Sequence, residues 1–292
     1  MFHQVKIREE DQHAQRFLWR NCNSEANPDI YVMQVMTFGS TSSPACTQAV
    51  KNHNAELFNG KYPGASEAIV RQHYVDDYLD SFNSREEAIQ RIKEVIEIHD
   101  SASFHIRGFT SNSKSVIRSI PEERRNQNEI KIFEEKDSEY EKVLGIYWNT
   151  HRDEIGFRLN ISRLAKEILY NQRRPTKREV MSFVMSIYDP LGLIANITIR
   201  GKILLRELHK ATDNWDEEIP ENLHIYWKDW LETIKHIENI TIPRCMTNGQ
   251  LSAVDIHTFV DASEEAFTAA TYMYVGETVH LIAAKAPIKT VV

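Results

Sequence analysis

Two adjacent carboxylates, Asp76 and Asp77, lie between the apolar pairs Tyr74-Val75 and Tyr78-Leu79 in the stretch RQHYVDDYLDSFNS, residues 71–84. Two like charges side by side repel each other, so their placement calls for a reason. An Asp-Asp pair is ordinary turn chemistry where strands flank it, and Tyr-x-Asp-Asp alone is a weak motif. The residues alone therefore leave two alternatives open, a functional motif and a turn with a purely structural role.

A second group of residues that could bind a ligand is a run of basic side chains in the middle of the chain. Such a run can contact phosphate groups, although it can equally be the solvated surface of helices. The net charge of the whole chain is −7, and an acidic cluster between residues 213 and 221 follows the run. Within residues 158–178 the basic residues, opposed only by Glu167, are Arg158, Arg163, Lys166, Arg173, Arg174, Lys177 and Arg178.

The composition is that of a globular protein. With 292 residues, 41% hydrophobic and 26% charged, the chain is long enough for roughly two domains. It contains no apolar run of the roughly 18 residues that span a bilayer, and its start lacks a secretory signal. We therefore expect a cytoplasmic or nuclear protein that is not secreted and has no membrane partner. Cys22, Cys46 and Cys245 are too far apart for a metal site, so we expect reduced, buried thiols.

The elements that must position these residues follow from local patterns. HQVKI and QRFLWRN read as strands joined by an acidic turn, Glu9–Asp11, and DIYVMQVM reads as another strand. TFGSTSSPACTQ opens a helix, and Asp76-Asp77 forms the tip of a hairpin. Ser84 caps a helix that runs to His99, and EYEKVLGIYWNTHRDEIGFRL reads as a second hairpin. Helices that alternate with antiparallel strands in this way predict an α+β domain with its helices on one face of the sheet.

An ordered set of motifs resembles one known family. The chain is similar to the reverse transcriptase of long-terminal-repeat retrotransposons of the BEL/Pao class, in collinear order over nearly its whole length. The resemblance implies a reverse-transcriptase palm in residues 1–150, a mostly helical thumb and connection in 151–250, and the N-terminal part of a ribonuclease H-like β-sheet in 251–292. The motifs are MFHQV, RFLWRN, FGSTSSPACT, YVDDYLDSF, FTSNS, VLGIYWNTHRDEIGF, SIYDPLGLIA and HTFVDASEEAF.

The resemblance also implies roles for individual residues. Asp76 and Asp77 would be catalytic and would bind two Mg²⁺ ions for nucleotidyl transfer, and the seven basic residues would contact the nucleic-acid backbone. Asp261 would be the first metal-binding carboxylate of a vestigial ribonuclease H site. An ordinary helix start at Phe38–Pro44 and core packing of Tyr147 remain alternatives. Nucleotide and template contacts would come from Phe2, Phe38, Gly39, Ser43 and Pro44, and a primer grip from Leu144, Gly145, Ile146 and Tyr147.

The sequence also departs from the family pattern. The family's first catalytic aspartate precedes the MF dipeptide by four residues, a position upstream of Met1. We therefore expect a fragment of an RNA-directed DNA polymerase that is catalytically incomplete as encoded. Its partners would be an RNA or DNA template-primer and, in the intact enzyme, deoxynucleoside triphosphates. Two alternatives stay open: a non-catalytic nucleic-acid-binding relic, and a clipped gene model of an active polyprotein with protease and integrase segments.

Overall fold

The computed structural model describes residues 1–126, 140–143, 146–247 and 254–289. The chain divides into two units, Met1–Ser138 and Glu139–Val292. Helices and small antiparallel sheets occur in both units, which is the α+β class that the sequence predicts. In the described ranges, no helix is long and apolar enough to cross a bilayer.

The first unit consists of short helices around one long helix and two small ribbons. β1 pairs with β2 and β3 pairs with β4, both antiparallel. Short 3-10 turns lie at Phe2–Gln4, His13–Gln15 and Glu122–Arg124. The elements in chain order are α1 (Glu9–Gln12), β1 (Arg16–Trp19), β2 (Asp29–Val32), α2 (Ser43–Glu56), α3 (Pro63–Arg71), β3 (His73–Tyr74), β4 (Asp77–Tyr78), α4 (Arg85–Ser101) and α5 (Lys114–Ser119).

Helix α4 organises the core of the first unit. The Ser84 side chain accepts a hydrogen bond from the backbone N–H of Glu87 at 3.1 Å, so the predicted N-cap is confirmed. One stripe of the helix is buried, as its apolar spacing predicts. Two apolar clusters meet along this stripe. One consists of Ala55, Ala65, Ile69, Val95 and Ile98, and the other of Ala88, Ile92, Val116, Ile117 and Ile120.

Two expectations for the first unit are wrong. HQVKI forms no strand but a 3-10 turn followed by one bridge, Lys6↔Val35, and the acidic turn is the short helix α1. The segment is held by a small core in which Val5 packs with Met36, so it needs no ladder of backbone hydrogen bonds.

The cysteines are not buried either. All three have exposed thiols. Residues 43, 47, 51 and 55 of α2 face the interior at a spacing of four, and Cys46 lies one position outside that stripe. Cys22 lies in a turn with φ of 60°. The hydrophobic tendency of free cysteine is overridden in both places by the local geometry of the backbone.

The second unit combines four helices in its described part with two antiparallel sheets. One sheet has the strand order β5-β6-β7-β8 and the other the order β11-β10-β9. The helices bury a core around Phe183, Trp227 and Trp230. The elements are β5 (Tyr140–Val143), β6 (Ile146–Asn149), β7 (Glu154–Gly156), α6 (Lys166–Leu169), α7 (Lys177–Val184), α8 (Ala195–Ala211), α9 (Glu221–Lys235), β8 (Thr241–Pro243), β9 (Val254–Ala262), β10 (Phe267–Val275) and β11 (Thr278–Lys285).

The motif SIYDPLGL breaks the chain between α7 and α8 and attaches the three-stranded sheet. The Asp189 carboxylate accepts hydrogen bonds from the backbone N–H groups of Leu193 and Ile194 at 2.8 and 3.0 Å. Gly192 has φ of 72°, and a Cβ atom there would lie 1.7 Å from the carbonyl oxygen of Ala284 in β11. Ala284 in turn donates its N–H to the Leu191 carbonyl at 2.7 Å. The glycine therefore permits both the turn and the close approach of the strand.

This contact generates a stability prediction. Gly192→Ala should lower the free energy of unfolding by about 2 kcal/mol or more, because it adds a left-handed backbone penalty to a steric clash with rigid backbone. Gly276→Ala is the matched control: Gly276 has φ of 59°, but a Cβ there meets no atom within 4 Å. Urea unfolding followed by tryptophan fluorescence measures both. Equal losses for the two variants would mean that the close approach to Ala284 contributes nothing.

Candidate functional site

The hairpin that carries the aspartates has one outer and one inner face. His73 pairs with Tyr78 and Tyr74 pairs with Asp77, and directly paired residues lie on the same face of a ribbon. Asp77 therefore shares the outer face with Tyr74, while Asp76 lies in the turn, and both aspartates are exposed. Val75 has φ of 57°, which is an uncommon conformation for a β-branched residue and indicates local strain. The predicted hairpin with the aspartates at its tip is confirmed.

The electrostatics of the pair are those of two carboxylates that repel each other. The pKa of Asp77 is raised above its ordinary value, first because neighbouring atoms partly desolvate its carboxylate and second because of the negative charge of Asp76. Among the described residues, no group of three or more His, Cys, Asp and Glu side chains is arranged to hold a metal ion. The oxygen chemistry of the pair suits Mg²⁺, but two carboxylates are fewer ligands than a tight site needs.

The inner face of the hairpin contacts the buried His99 of α4. The Nε2 atoms of His73 and His99 lie 3.0 Å apart, and the rings of His73 and Tyr78 lie 5.1 Å apart. Tyr78 donates its hydroxyl hydrogen to Asp80 at 2.7 Å. The apolar spacing of α4 predicted that His99 lies on its buried face, but no function was predicted for it. The sequence signal for a functional role was an imidazole within an otherwise apolar stripe.

A buried lysine lies beside the histidine pair. Lys51 on α2 is only 1% exposed, and its Nζ donates to the Ile69 carbonyl. Burial lowers its pKa to about 8. The pKa of His73 falls to about 3 and that of His99 to about 4, because burial and then the Lys51 charge disfavour a second cation. Sequence analysis missed Lys51, although its spacing of four from Thr47 and Ala55 on α2 could have flagged it.

The residues expected to contact nucleotide and template differ in their surroundings. The rings of Phe2 and Phe38 lie 5.0 Å apart, and Phe38 is 70% exposed. Gly39 has φ of 89° and open space where a Cβ would be. Ser43 is buried and donates its hydroxyl hydrogen to the Thr37 carbonyl at 2.8 Å, and Pro44 lies in the first turn of α2. Phe2, Phe38 and Gly39 thus have surface available for a ligand, whereas Ser43 is engaged in fixing the helix start.

The expected primer grip is only partly visible. Leu144 and Gly145 lie outside the described residues. Ile146 begins β6, Tyr147 pairs with Gly156 of β7, and the side chains of Ile146 and Tyr147 are half-buried. The predicted hairpin is confirmed and lies in the second unit, but its loop is shorter than NTHRDE, because Asn149 and Glu154 pair as strand residues and only residues 150–153 form the loop.

Much of the basic run is paired within its own unit. Arg173 forms two hydrogen bonds to the Glu179 carboxylate, at 2.6 and 2.9 Å, which lower the pKa of Glu179 to about 2. Arg178 pairs with Asp216 at 2.7 Å. Lys177 is buried and donates to the Thr212 carbonyl at 2.7 Å. Arg174 pairs with Glu218 and Glu221, both at 3.1 Å.

The remaining basic residues of the run are exposed. Arg158, Arg163 and Lys166 project into solvent. In the ranges that the structure describes, the side chains of Arg163 and Lys166 form no ion pair or hydrogen bond. The acidic cluster seen in the sequence thus pairs with Arg174 and Arg178. Arg163 and Lys166 remain available at the surface.

Asp261 lies near the end of β9. Its side chain is exposed, and Oδ1 accepts a hydrogen bond from the backbone N–H of Ala262 at 2.8 Å. It borders an open cavity together with Val260, Phe267, Thr268 and Lys285. No second carboxylate is among the residues that line this cavity in the described ranges.

The histidine pair generates a pH prediction. Both rings have a folded-state pKa below the ordinary 6.5, so the unfolded chain binds protons first as the pH falls. Stability is complete above pH 6.5 and is lost toward pH 4, by about 1 kcal/mol per ring at pH 5.5. Hydrogen exchange of α4 amides at pH 7.5 and 5.5 measures this loss. His99→Gln should reduce the pH dependence, and an unchanged dependence would contradict the assignment.

Two family models match parts of the chain. Residues 1–132 match the family model of reverse transcriptase (RNA-dependent DNA polymerase), so the Asp76-Asp77 hairpin lies inside the match. Residues 176–292 match the model of the Pao retrotransposon-like RNaseH-like domain, which includes α7, α8, α9 and the three-stranded sheet. No curated protein matches the chain significantly. The two matched models follow one another along the chain, and together they support its predicted similarity to the reverse transcriptases of Pao-class retrotransposons.

Proposed function

We propose that the chain provides the palm, thumb and connection of an RNA-directed DNA polymerase, together with part of a ribonuclease H-like module. One observation carries the proposal: Asp76 in the turn and Asp77 at the start of β4 lie side by side in a two-stranded hairpin, within the residues matched by the reverse transcriptase model. Bound Mg²⁺ would neutralise phosphate charge and activate a primer 3′-hydroxyl for nucleotidyl transfer. The protein would act in the cytoplasm or nucleus, and protease and integrase segments of a parent polyprotein would be its neighbours.

Different residues would bind the cations, the nucleotide and the template. Asp76 and Asp77 would hold the cations on the outer face of the hairpin. Phe2 and Phe38, whose rings touch, would form an apolar wall for the sugar or base of a deoxynucleoside triphosphate. Gly39 would allow the template backbone to come close, since the space at its Cβ position is open. The substrates implied are a template-primer and deoxynucleoside triphosphates.

We propose further that the polypeptide Met1–Val292 on its own does not catalyse polymerisation. Two-metal phosphoryl transfer depends on carboxylates that fix both ions at about 3.5–4 Å from each other. Asp76 and Asp77 are adjacent, and among the described residues no third ligand joins them. Because catalysis of this type is almost entirely positioning and charge neutralisation, the loss of one bridging ligand removes orders of magnitude in rate.

A second candidate function is nucleic-acid binding without chemistry. The observation that favours it is the exposure of Arg163 and Lys166, whose side chains form no ion pair or hydrogen bond among the described residues. Phosphate contacts give affinity that depends on charge and requires no catalytic carboxylate. A chain with these residues would still hold a duplex even if its metal site were inactive.

Primer extension tests the catalytic proposal. The polypeptide Met1–Val292 should extend a primer on an RNA template no faster than its Asp76→Asn/Asp77→Asn variant. A longer polypeptide that adds the preceding palm strand and fingers of an intact relative should polymerise, and the same double substitution should slow it by roughly a thousandfold or more. Asp76-dependent extension by Met1–Val292 would show that the two carboxylates suffice or that another group completes the site.

Salt-dependent binding to a primer-template duplex tests the second candidate. Arg163→Ala/Lys166→Ala should weaken binding and reduce the log-log salt slope by about 2, one for each lost phosphate contact. Arg174→Ala/Arg178→Ala removes the same charge from side chains that are already paired with Glu218, Glu221 and Asp216. This control should change the slope less. An equal effect of the two double substitutions would show that pairing does not keep arginines from phosphate.

A further inference from the structure

The carboxylate hairpin is too short to hold its own position. Its strands contain two residues each, His73–Tyr74 and Asp77–Tyr78, and isolated two-stranded hairpins are marginally stable at best. One further backbone hydrogen bond, from Leu79 N–H to the Gln72 carbonyl at 2.9 Å, extends the ladder. The position of the tip must therefore be set by what the inner face contacts.

His99 provides the polar contact of that inner face. It projects from α4, is 1% exposed, and meets the His73 ring at 3.0 Å between Nε2 atoms. A hydrogen bond between two imidazole nitrogens needs one proton between them, so one ring donates and the other accepts. Within the described residues, the Nδ1 atoms of both rings are buried and have no hydrogen-bond partner. The contact between the two rings is thus the hydrogen bond that orients each of them.

Lys51 holds the helix that leads into the hairpin. Its ammonium donates to the Ile69 carbonyl in the last turn of α3, and this helix leads through Gln72 directly into the first strand of the hairpin. A cation is favourable at a helix C-terminus. The Lys51 charge also lowers the pKa of both rings, which disfavours a second proton on the pair. Other charged groups on the surrounding elements are Asp100 beside His99 and Asp80 and Arg91 beside Tyr78.

We propose that His99 and Lys51 are positioning residues of the carboxylate hairpin: they fix its inner face, and thereby the direction in which Asp76 and Asp77 present their oxygen atoms. This role rests on the function proposed above, because the direction of the carboxylates matters only if they hold a cation. Neither residue would touch the cation or the substrate.

The test uses the whole chain and two independent measurements. Amide exchange of Leu79, relative to amides of α4, reports how firmly the hairpin is held without any metal. Broadening of the signals of Val75–Tyr78 by Mn²⁺ reports the affinity of the carboxylates. His99→Leu should speed the exchange about fivefold and weaken Mn²⁺ binding about threefold, the effect of losing one net hydrogen bond. His99→Gln, which can still hydrogen-bond to His73, should restore both, which simple filling of space by leucine would not.

Matched substitutions separate the contact from general effects. His53→Leu changes an exposed histidine of α2, and Lys93→Met changes an exposed lysine of α4; both should leave the hairpin unchanged, whereas Lys51→Met should speed its exchange. If His99→Leu does not fold, His73→Leu removes the same hydrogen bond from the strand.

The outcomes distinguish the two proposals. Unchanged exchange in the leucine variants, or no rescue by glutamine, overturns the positioning role. A lack of Mn²⁺ broadening in the unsubstituted chain overturns the metal assignment instead, and the exchange rates still decide whether His99 holds the hairpin.

Discussion

Burial of one face of α4 is the constraint on which the first unit depends. The helix is capped by Ser84, and its apolar stripe serves two clusters at once, so that α2, α3 and α5 are all assembled against it. The same stripe ends in His99, a polar residue at a position where an apolar one would have packed. A single buried surface thus determines both the stability of the unit and the place of the acidic hairpin, because the hairpin attaches where the stripe becomes polar.

Local patterns predicted the elements and failed at contacts between distant residues. The α4 cap, the Asp76-Asp77 hairpin and the start of α2 follow from periodicity and turn chemistry within a few residues. The three strands at the end of the chain were expected from the family resemblance instead. Lys51, His73 and His99 come close together only after three helices have packed, and no spacing in the sequence predicts that they do. The strand expected at HQVKI failed for the same reason, since Val5 is held by side-chain burial with Met36 and Phe104.

The basic run illustrates how charge in a sequence can have two uses. In its C-terminal half, Arg173, Arg174 and Arg178 pair with acidic residues that follow them in the sequence. The Lys177 ammonium lies 4.6 Å from the centre of the Trp215 ring, so part of this charge belongs to the internal structure of the unit. The N-terminal half of the run is solvated. Composition alone cannot show which basic residues are paired, because their acidic partners lie farther away in the sequence than the three or four residues that bring side chains together on a helix. The Asp153–Arg244 pair, at 2.6 Å, connects residues that are even farther apart in the sequence.

The docking of β11 onto the SIYDPLGL turn has a consequence for the order of folding. Gly192 and Leu191 belong to the break between α7 and α8, yet their partner, Ala284, lies far downstream in the sequence. During synthesis α7 and α8 emerge before β11. The backbone groups of the turn therefore face water until β11 has been made. Contacts between such distant segments form slowly because a long loop must close first. We therefore expect the contact between the turn and β11 to form late in folding. Until it forms, incompletely synthesised chains expose their helical core and can aggregate.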